Sequence, residues 1–104
     1  MKKVMLICSA GMSSSLLVKK MLEASSKRGL ETEVLAVAEA DVHKHVQNTD
    51  AVLLAPQVRF LAKNLKRKLE PQGIPVEIID SIDFGTMDGD KVLDQALHMM
   101  QADN

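Results

Sequence analysis

Cys8 is the residue of this chain best suited to covalent chemistry, because it is the single cysteine and directly follows a short apolar run, residues 4–7. Such a run is typical of a strand buried on both faces of a parallel sheet. A thiolate is a strong nucleophile, and it is favoured where a helix begins. A lone cysteine can equally be a small buried hydrophobe. The position of Cys8 before a loop of small polar residues favours the nucleophile.

The segment after Cys8 has the composition of an anion-binding loop. Small residues allow backbone N–H groups to converge on a phosphoryl group, and hydroxyl groups add donors. A helix is predicted to begin within about six residues of Cys8, and its N-terminus attracts anions. We therefore expect the sulfur at the mouth of an amide-lined pocket. The predicted phosphate-binding residues are Ser9, Ala10, Gly11, Met12, Ser13, Ser14 and Ser15.

Alternating strands and helices must position this loop. Strands are predicted at 4–7, 33–38, 51–55 and 76–79. Helices are predicted from shortly after Cys8 to about residue 28, over 39–47, over 58–69 and around the apolar residues of 93–100, with a loop over 80–90. The alternation predicts a single α/β domain spanning residues 1–104, with a four-stranded parallel sheet of order 2-1-3-4 and helices on both faces. In such a sheet the chain reverses direction between strands 1 and 3, and ligands bind in the crevice at the carboxyl ends of these two strands. Cys8 and Pro56-Gln57 are expected there.

Composition narrows the function classes. Of the 104 residues, 46% are hydrophobic and 26% charged, which is typical of a globular domain. The net charge of −1 and the 2% aromatic content argue against binding to nucleic acid or to an anionic membrane. The single cysteine excludes an internal disulfide and fits a reducing cytoplasm.

Four residues are candidates for lining the crevice or docking a partner: Met12, Pro56, Gln57 and Arg59. Met12 is either a partner contact or a cap on the core. Gln57 is a candidate hydrogen-bond donor to phosphate. Arg59 belongs to a run of cations on the third helix, for which a solvated face and a docking surface for an acidic partner both stay open.

The other aspartate and histidine candidates are interpreted as structural or surface residues. Asp80 and Asp83 are candidate acids of a phosphatase, but turn residues that hold the late loop are the favoured interpretation. His43 and His45 are two apart on a short helix and make a poor metal pair. His98 is interpreted as a surface histidine as well. We expect no metal and no organic cofactor.

Three segments of the chain resemble those of one known family. Residues 8–18 (CSAGMSSSLLV) closely resemble the phosphorylation motif of enzyme IIB components of the lactose/cellobiose (diacetylchitobiose) family of the bacterial phosphoenolpyruvate-dependent sugar phosphotransferase system. Residues 53–58 (LLAPQV) are similar to its second motif, and residues 76–89 are similar to its late loop. Ser14 stands where threonine is common in the family, and it keeps the hydroxyl group.

The resemblance implies a phosphorelay and a phosphotransferase activity. A phosphohistidine of enzyme IIA would donate its phosphoryl group to Cys8, and the phosphocysteine would pass it to a β-disaccharide carried by the membrane enzyme IIC. The implied protein is cytoplasmic, and a monomer that contacts its partners transiently is expected. The sugar resides mainly with the IIC component and cannot be identified from this chain.

A hydrolytic enzyme is the main alternative. The loop is also similar to that of low-molecular-weight tyrosine phosphatases, whose pattern is a cysteine, five residues and an arginine. Ser14 occupies the arginine position here. Because a guanidinium would clamp the equatorial oxygens of the transferring group, its replacement by serine predicts slow hydrolysis. A third possibility, an interaction domain without chemistry, would not require the thiol.

Overall fold

The computed structural model describes residues 1–8 and 12–101, with the backbone alone for residues 12–14 and 101. Four strands form one parallel sheet: β1 (Lys2–Cys8), β2 (Thr32–Ala38), β3 (Ala51–Leu54) and β4 (Val76–Ile78). Their order is β2-β1-β3-β4, which confirms the predicted topology. β1 therefore lies in the interior of the sheet, with β2 on one side and β3 on the other.

Five α-helices and three short 3₁₀ segments connect and cover the strands. The α-helices are α1 (Met12–Lys27), α2 (Val42–His45), α3 (Ala62–Leu69), α4 (Ser81–Gly85) and α5 (Gly89–Gln101). The 3₁₀ segments are Glu39–Asp41, Pro56–Leu61 and Glu70–Gln72. None of the helices in the parts that the structure describes is long and apolar enough to cross a membrane.

The predicted loop over 80–90 is wrong, because it contains α4. Asp80 caps this helix: its carboxylate accepts hydrogen bonds from the backbone N–H groups of Ile82 and Asp83. Two predicted helices also begin differently. The predicted helix at 39–47 divides into a 3₁₀ turn and the four-residue α2. The predicted helix at 58–69 is preceded by a 3₁₀ segment from Pro56, with non-helical torsion angles at Val58.

The central strands β1 and β3 contain unbroken apolar runs because they are buried in the core. Residues 4–8 of β1 and all four residues of β3 are buried. Because successive side chains of a strand point to opposite faces, both faces of the sheet must be covered. Buried residues of the long helices supply the cover: Leu17, Met21 and Ala24 of α1, Leu65 and Leu69 of α3, and Val92, Leu93 and Ala96 of α5.

The helices α1 and α5 pack closely against each other. A Cβ placed on Gly89 would lie 2.5 Å from the carbonyl carbon of Lys20. Arg28, just beyond the end of α1, binds Asp90 at 3.1 Å and Asp94 at 2.6 Å. Met87 turns the chain into α5 with a φ of 52°, a left-handed conformation that is uncommon outside glycine.

Candidate functional site

Cys8 is the last residue of β1 and lies opposite Ala38, the last residue of β2. Its position is therefore set by a strand that is hydrogen-bonded on both sides. The side chain is 9% exposed, whereas Val4, Met5, Leu6 and Ile7 are at most 2% exposed. The thiol thus lies where the core ends at the carboxyl edge of the sheet, and it is more buried than a sulfur at an open pocket mouth would be.

The predicted phosphate-binding loop is described only in part. Ser9, Ala10 and Gly11 lie outside the described residues, as do the side chains of Met12, Ser13 and Ser14. Ser15 is exposed. Whether backbone amides surround the Cys8 sulfur therefore remains a prediction, and so do the roles of these seven residues.

The helix that follows Cys8 has the polarity expected of an anion site. α1 begins at Met12, four positions after the cysteine, and continues for 16 residues. Its first turn contains no acidic residue that would repel an anion. The N-terminus of an α-helix presents unpaired N–H groups and the positive end of the helix dipole. An anionic group held between Cys8 and the start of α1 would be stabilised by both.

The end of β3 is tied to β1 beside the cysteine. The backbone N–H of Ala55 donates to the carbonyl oxygen of Ile7 at 2.9 Å. Pro56 and Gln57 follow directly at this edge of the sheet, and their place in a ligand crevice stays a prediction. They form the first turn of the 3₁₀ segment rather than a plain loop. Gln57 is exposed, and its predicted contact with phosphate stays a prediction.

Arg59 lies in the same 3₁₀ segment. Its side chain is exposed, and its Nε donates to the carbonyl oxygen of Pro56 at 3.2 Å. This bond holds the base of the guanidinium group against the segment that follows β3. Arg59 therefore lies in the segment that directly follows the end of β3, and its docking role stays a prediction.

The family to which the chain belongs is decided by sequence comparison. The family model described as the PTS system, Lactose/Cellobiose specific IIB subunit, matches residues 3–95. The chain belongs to this IIB family. Components of this family are phosphotransfer proteins of the phosphotransferase system, which supports a phosphotransferase role for this chain.

Individual relatives agree along almost the whole length. The chain is 43% identical to the oligo-beta-mannoside-specific EIIB component of Bacillus subtilis over 100 residues, covering 96% of this chain and 97% of the relative. It is 40% identical to the cellobiose-specific EIIB component of Lactococcus lactis over 104 residues, covering 95% and 96%. Relatives of similar identity are thus named for different sugars.

A solved structure gives the same picture of the fold. The solution structure of a cellobiose-specific IIB component from Borrelia burgdorferi superposes with a TM-score of 0.82 at 40% identity, covering 99% of this chain and 94% of that one. The four-stranded parallel sheet of order 2-1-3-4, with its flanking helices, is therefore the fold of this IIB family.

In this IIB family member, the carboxylate of Asp80 accepts two backbone hydrogen bonds at the start of α4. Its Oδ1 accepts from the N–H of Ile82 at 2.9 Å and from the N–H of Asp83 at 3.1 Å. This favours the interpretation of Asp80 as a turn residue over that of a catalytic acid. The sequence carried a signal for this role: an aspartate, an ordinary N-cap residue, stands three positions before Asp83.

The sequence did not indicate a groove next to α4 and α5. It has a volume of about 450 Å³ and brings together five polar side chains beside His98. The other lining residues are Asp80, Asp83, Lys91, Asp94 and Gln95. His43 and His98 are exposed, as predicted for surface histidines. Among the described residues, no group of histidine, cysteine or acidic side chains has an arrangement that could hold a metal ion.

Proposed function

We propose that this chain is a phosphoryl carrier that receives a phosphoryl group on Cys8 from a phosphohistidine of enzyme IIA. It then passes the group to a β-disaccharide carried by the membrane component IIC. The proposal places the protein in the cytoplasm, as a monomer that meets both partners in turn. The observation that carries it is the position of Cys8, at the end of an interior strand and four positions before the start of α1.

The two transfers are opposite uses of the same sulfur. In the first, the Cys8 thiolate supplies the electron pair of a new S–P bond, the P–N bond breaks, and its electron pair returns to the imidazole ring. In the second, a sugar hydroxyl oxygen bonds to phosphorus, the S–P bond breaks, and its electron pair returns to sulfur. The hydroxyl proton leaves to a base or to water. The start of α1 favours the anionic group at every stage.

Two features support a carrier rather than a hydrolase. The first is Ser14, which stands where the similar phosphatases have an arginine that clamps the phosphoryl oxygens and favours turnover. The second is the bonding of Asp80 to the first turn of α4, which occupies a carboxylate that a phosphatase would need as an acid. A IIB-type carrier, with its sugar set by its partner, explains both.

Intact-mass spectrometry tests the proposal. After incubation with phosphorylated enzyme IIA, the chain should gain one acid-sensitive adduct of roughly 80 Da, the mass of a phosphoryl group. Cys8→Ser should abolish the adduct, while Ser26→Ala, an exposed position near the far end of α1 that leaves the thiol and its loop unchanged, should be labelled normally. Circular dichroism checks that both variants fold.

A second measurement separates the carrier from the phosphatase. The chain alone should show no steady turnover of an aryl phosphate, and the adduct should persist until an acceptor is added. Rapid continuous hydrolysis that depends on Cys8 would instead identify a phosphatase. Sugar phosphorylation that survives Cys8→Ser in a reconstituted relay would show that the chain is not the carrier.

A further inference from the structure

The charges of this chain are strongly segregated. Residues 59–70 contain five of its 13 cations and one of its 14 anions, so this short segment carries +4 while the rest of the chain carries −5. The overall net charge of −1 conceals this difference. The five cations are Arg59, Lys63, Lys66, Arg67 and Lys68. A local positive field therefore exists on a molecule that is otherwise acidic.

The helix α3 directs these cations outward. Leu65 and Leu69, four residues apart, are buried on one side of the helix. Lys63 and Arg67 are also four residues apart, on the opposite side, and both are exposed. Lys66 is exposed as well, three positions after Lys63. We call Arg59, Lys63, Lys66 and Arg67 the α3 basic surface.

The α3 basic surface is not neutralised by ion pairs in the described parts of the chain. Like charges three and four residues apart on a helix repel each other. Within the ranges that the structure describes, ion pairs join Arg28 to two aspartates and Lys44 to Asp41, and no acidic side chain pairs with these four cations. Repulsion that the fold does not offset points to an anionic partner outside the chain.

The surface is continuous with the edge where Cys8 lies. Arg59 and Phe60 belong to the 3₁₀ segment that follows β3, the strand next to β1. Phe60 is 74% exposed. A large apolar side chain this exposed often marks a surface that binds another protein. Exposed aromatic residues and arginines are enriched in protein interfaces. Phe60 and the start of α3 thus follow the end of β3, which is hydrogen-bonded to β1 one residue before Cys8.

We infer that the α3 basic surface, with Phe60, docks the phosphohistidine donor through carboxylates on that protein. This inference rests on the proposed function. The donor diffuses to Cys8, so attraction between opposite charges raises the rate of productive encounter without prolonging the complex. A lipid surface is less well matched, because a flat membrane against the outer side of α3 would not bring a reacting atom to the end of β1.

Quenched-flow kinetics of phosphoryl transfer from purified phosphorylated enzyme IIA to the chain test the inference. In Lys63→Glu/Arg67→Glu the second-order rate should fall about ten-fold at low salt, as expected for loss of steering. The rate of the unaltered chain should fall with ionic strength, and that of the variant should not. Lys2→Glu/Lys19→Glu is the matched control: both lysines are exposed, lie outside the surface, and change the net charge equally.

The outcomes distinguish failure of the docking surface from failure of the function. Full labelling of Cys8 at high donor concentration, with equal rates for both double variants, would overturn the docking surface and leave the carrier intact. Absence of labelling at any donor concentration would overturn the carrier itself. Salt-sensitive binding to vesicles containing anionic lipid, lost in Lys63→Glu/Arg67→Glu while transfer is unchanged, would assign the surface to the membrane and also overturn the inference.

Discussion

Gly89 faces the backbone of Lys20 so closely that even a methyl group has no space between them. A Cβ on Gly89 would lie 2.5 Å from the carbonyl carbon and 2.6 Å from the carbonyl oxygen of Lys20. Backbone atoms cannot rotate away as a side chain can. The first residue of α5 must therefore be glycine if α1 and α5 are to keep this distance.

Gly89→Ala is expected to destabilise the protein by about 1–3 kcal/mol or more, the usual cost of forcing atoms into a filled space. Urea unfolding followed by circular dichroism measures the loss. Gly85→Ala is the matched control, because a Cβ at Gly85 would meet nothing within 4 Å and the residue lies in a helix. Equal stability of the two variants would contradict the close approach of the helices.

Arg28 is expected to stabilise the same helix pair through its two aspartates. Hydrogen bonds to Asp94 first, and then to Asp90, raise the pKa of the guanidinium above its already high usual value. A group whose pKa is raised in the folded state stabilises it below its unfolded pKa, so this contribution is complete at neutral pH and is lost only in strong alkali. Arg28→Gln should lower the urea midpoint slightly. The decrease should be smaller in 1 M salt, because the screening length is then about 3 Å and the ion pairs are weakened in the unaltered chain as well. A midpoint that is insensitive to Arg28→Gln at low salt would show that the bridge contributes nothing.

Asp80→Ala is expected to cost about 1 kcal/mol of stability, the typical value of a helix N-cap. Asp80→Asn should keep most of it, because an amide oxygen can still accept from the N–H groups of Ile82 and Asp83. Thermal unfolding measures both variants, and phospho-IIA transfer to Asp80→Asn should proceed normally. Loss of transfer in a stable Asp80→Asn protein would mean that the carboxylate acts chemically.

Ser14→Arg is expected to convert the loop toward that of a phosphatase. A guanidinium at this position would bind the equatorial oxygens of the phosphoryl group and favour attack by water. The phosphoenzyme should therefore decay faster, or its transfer to partners should be blocked. Radiolabel retention on Cys8 with time measures this, with Ser14→Thr as the conservative control. An unchanged lifetime together with normal transfer would argue against this account of the loop.

The strand order and the position of Cys8 could be predicted because the signals are local. An apolar run that ends at a single cysteine identifies β1, and alternating strands and helices permit few topologies. The helix α4 was missed because five residues are too few to show helical periodicity, and only the aspartate at its N-cap indicated it. The kink at Val58 was missed because its apolar spacing continues that of α3.

The need for Gly89 and the pairing of Arg28 with α5 could not be predicted either. Both depend on how two helices far apart in sequence approach each other, a distance that no periodicity encodes. Likewise, the sequence shows the cations of α3, but it does not show whether acidic side chains elsewhere in the fold form ion pairs with them. Nor did the sequence show that Cys8 would be only 9% exposed.

Because Cys8 is the last residue of a strand held between β2 and the end of β3, the sheet fixes where the sulfur lies. In the proposed relay, both partners would have to bring their reacting atoms to this one point. Features that choose the partner can then diverge in the connections after β3 and β4 without displacing the nucleophile. If Cys8 is the carrier residue, this separation would explain how relatives named for different sugars share one scaffold.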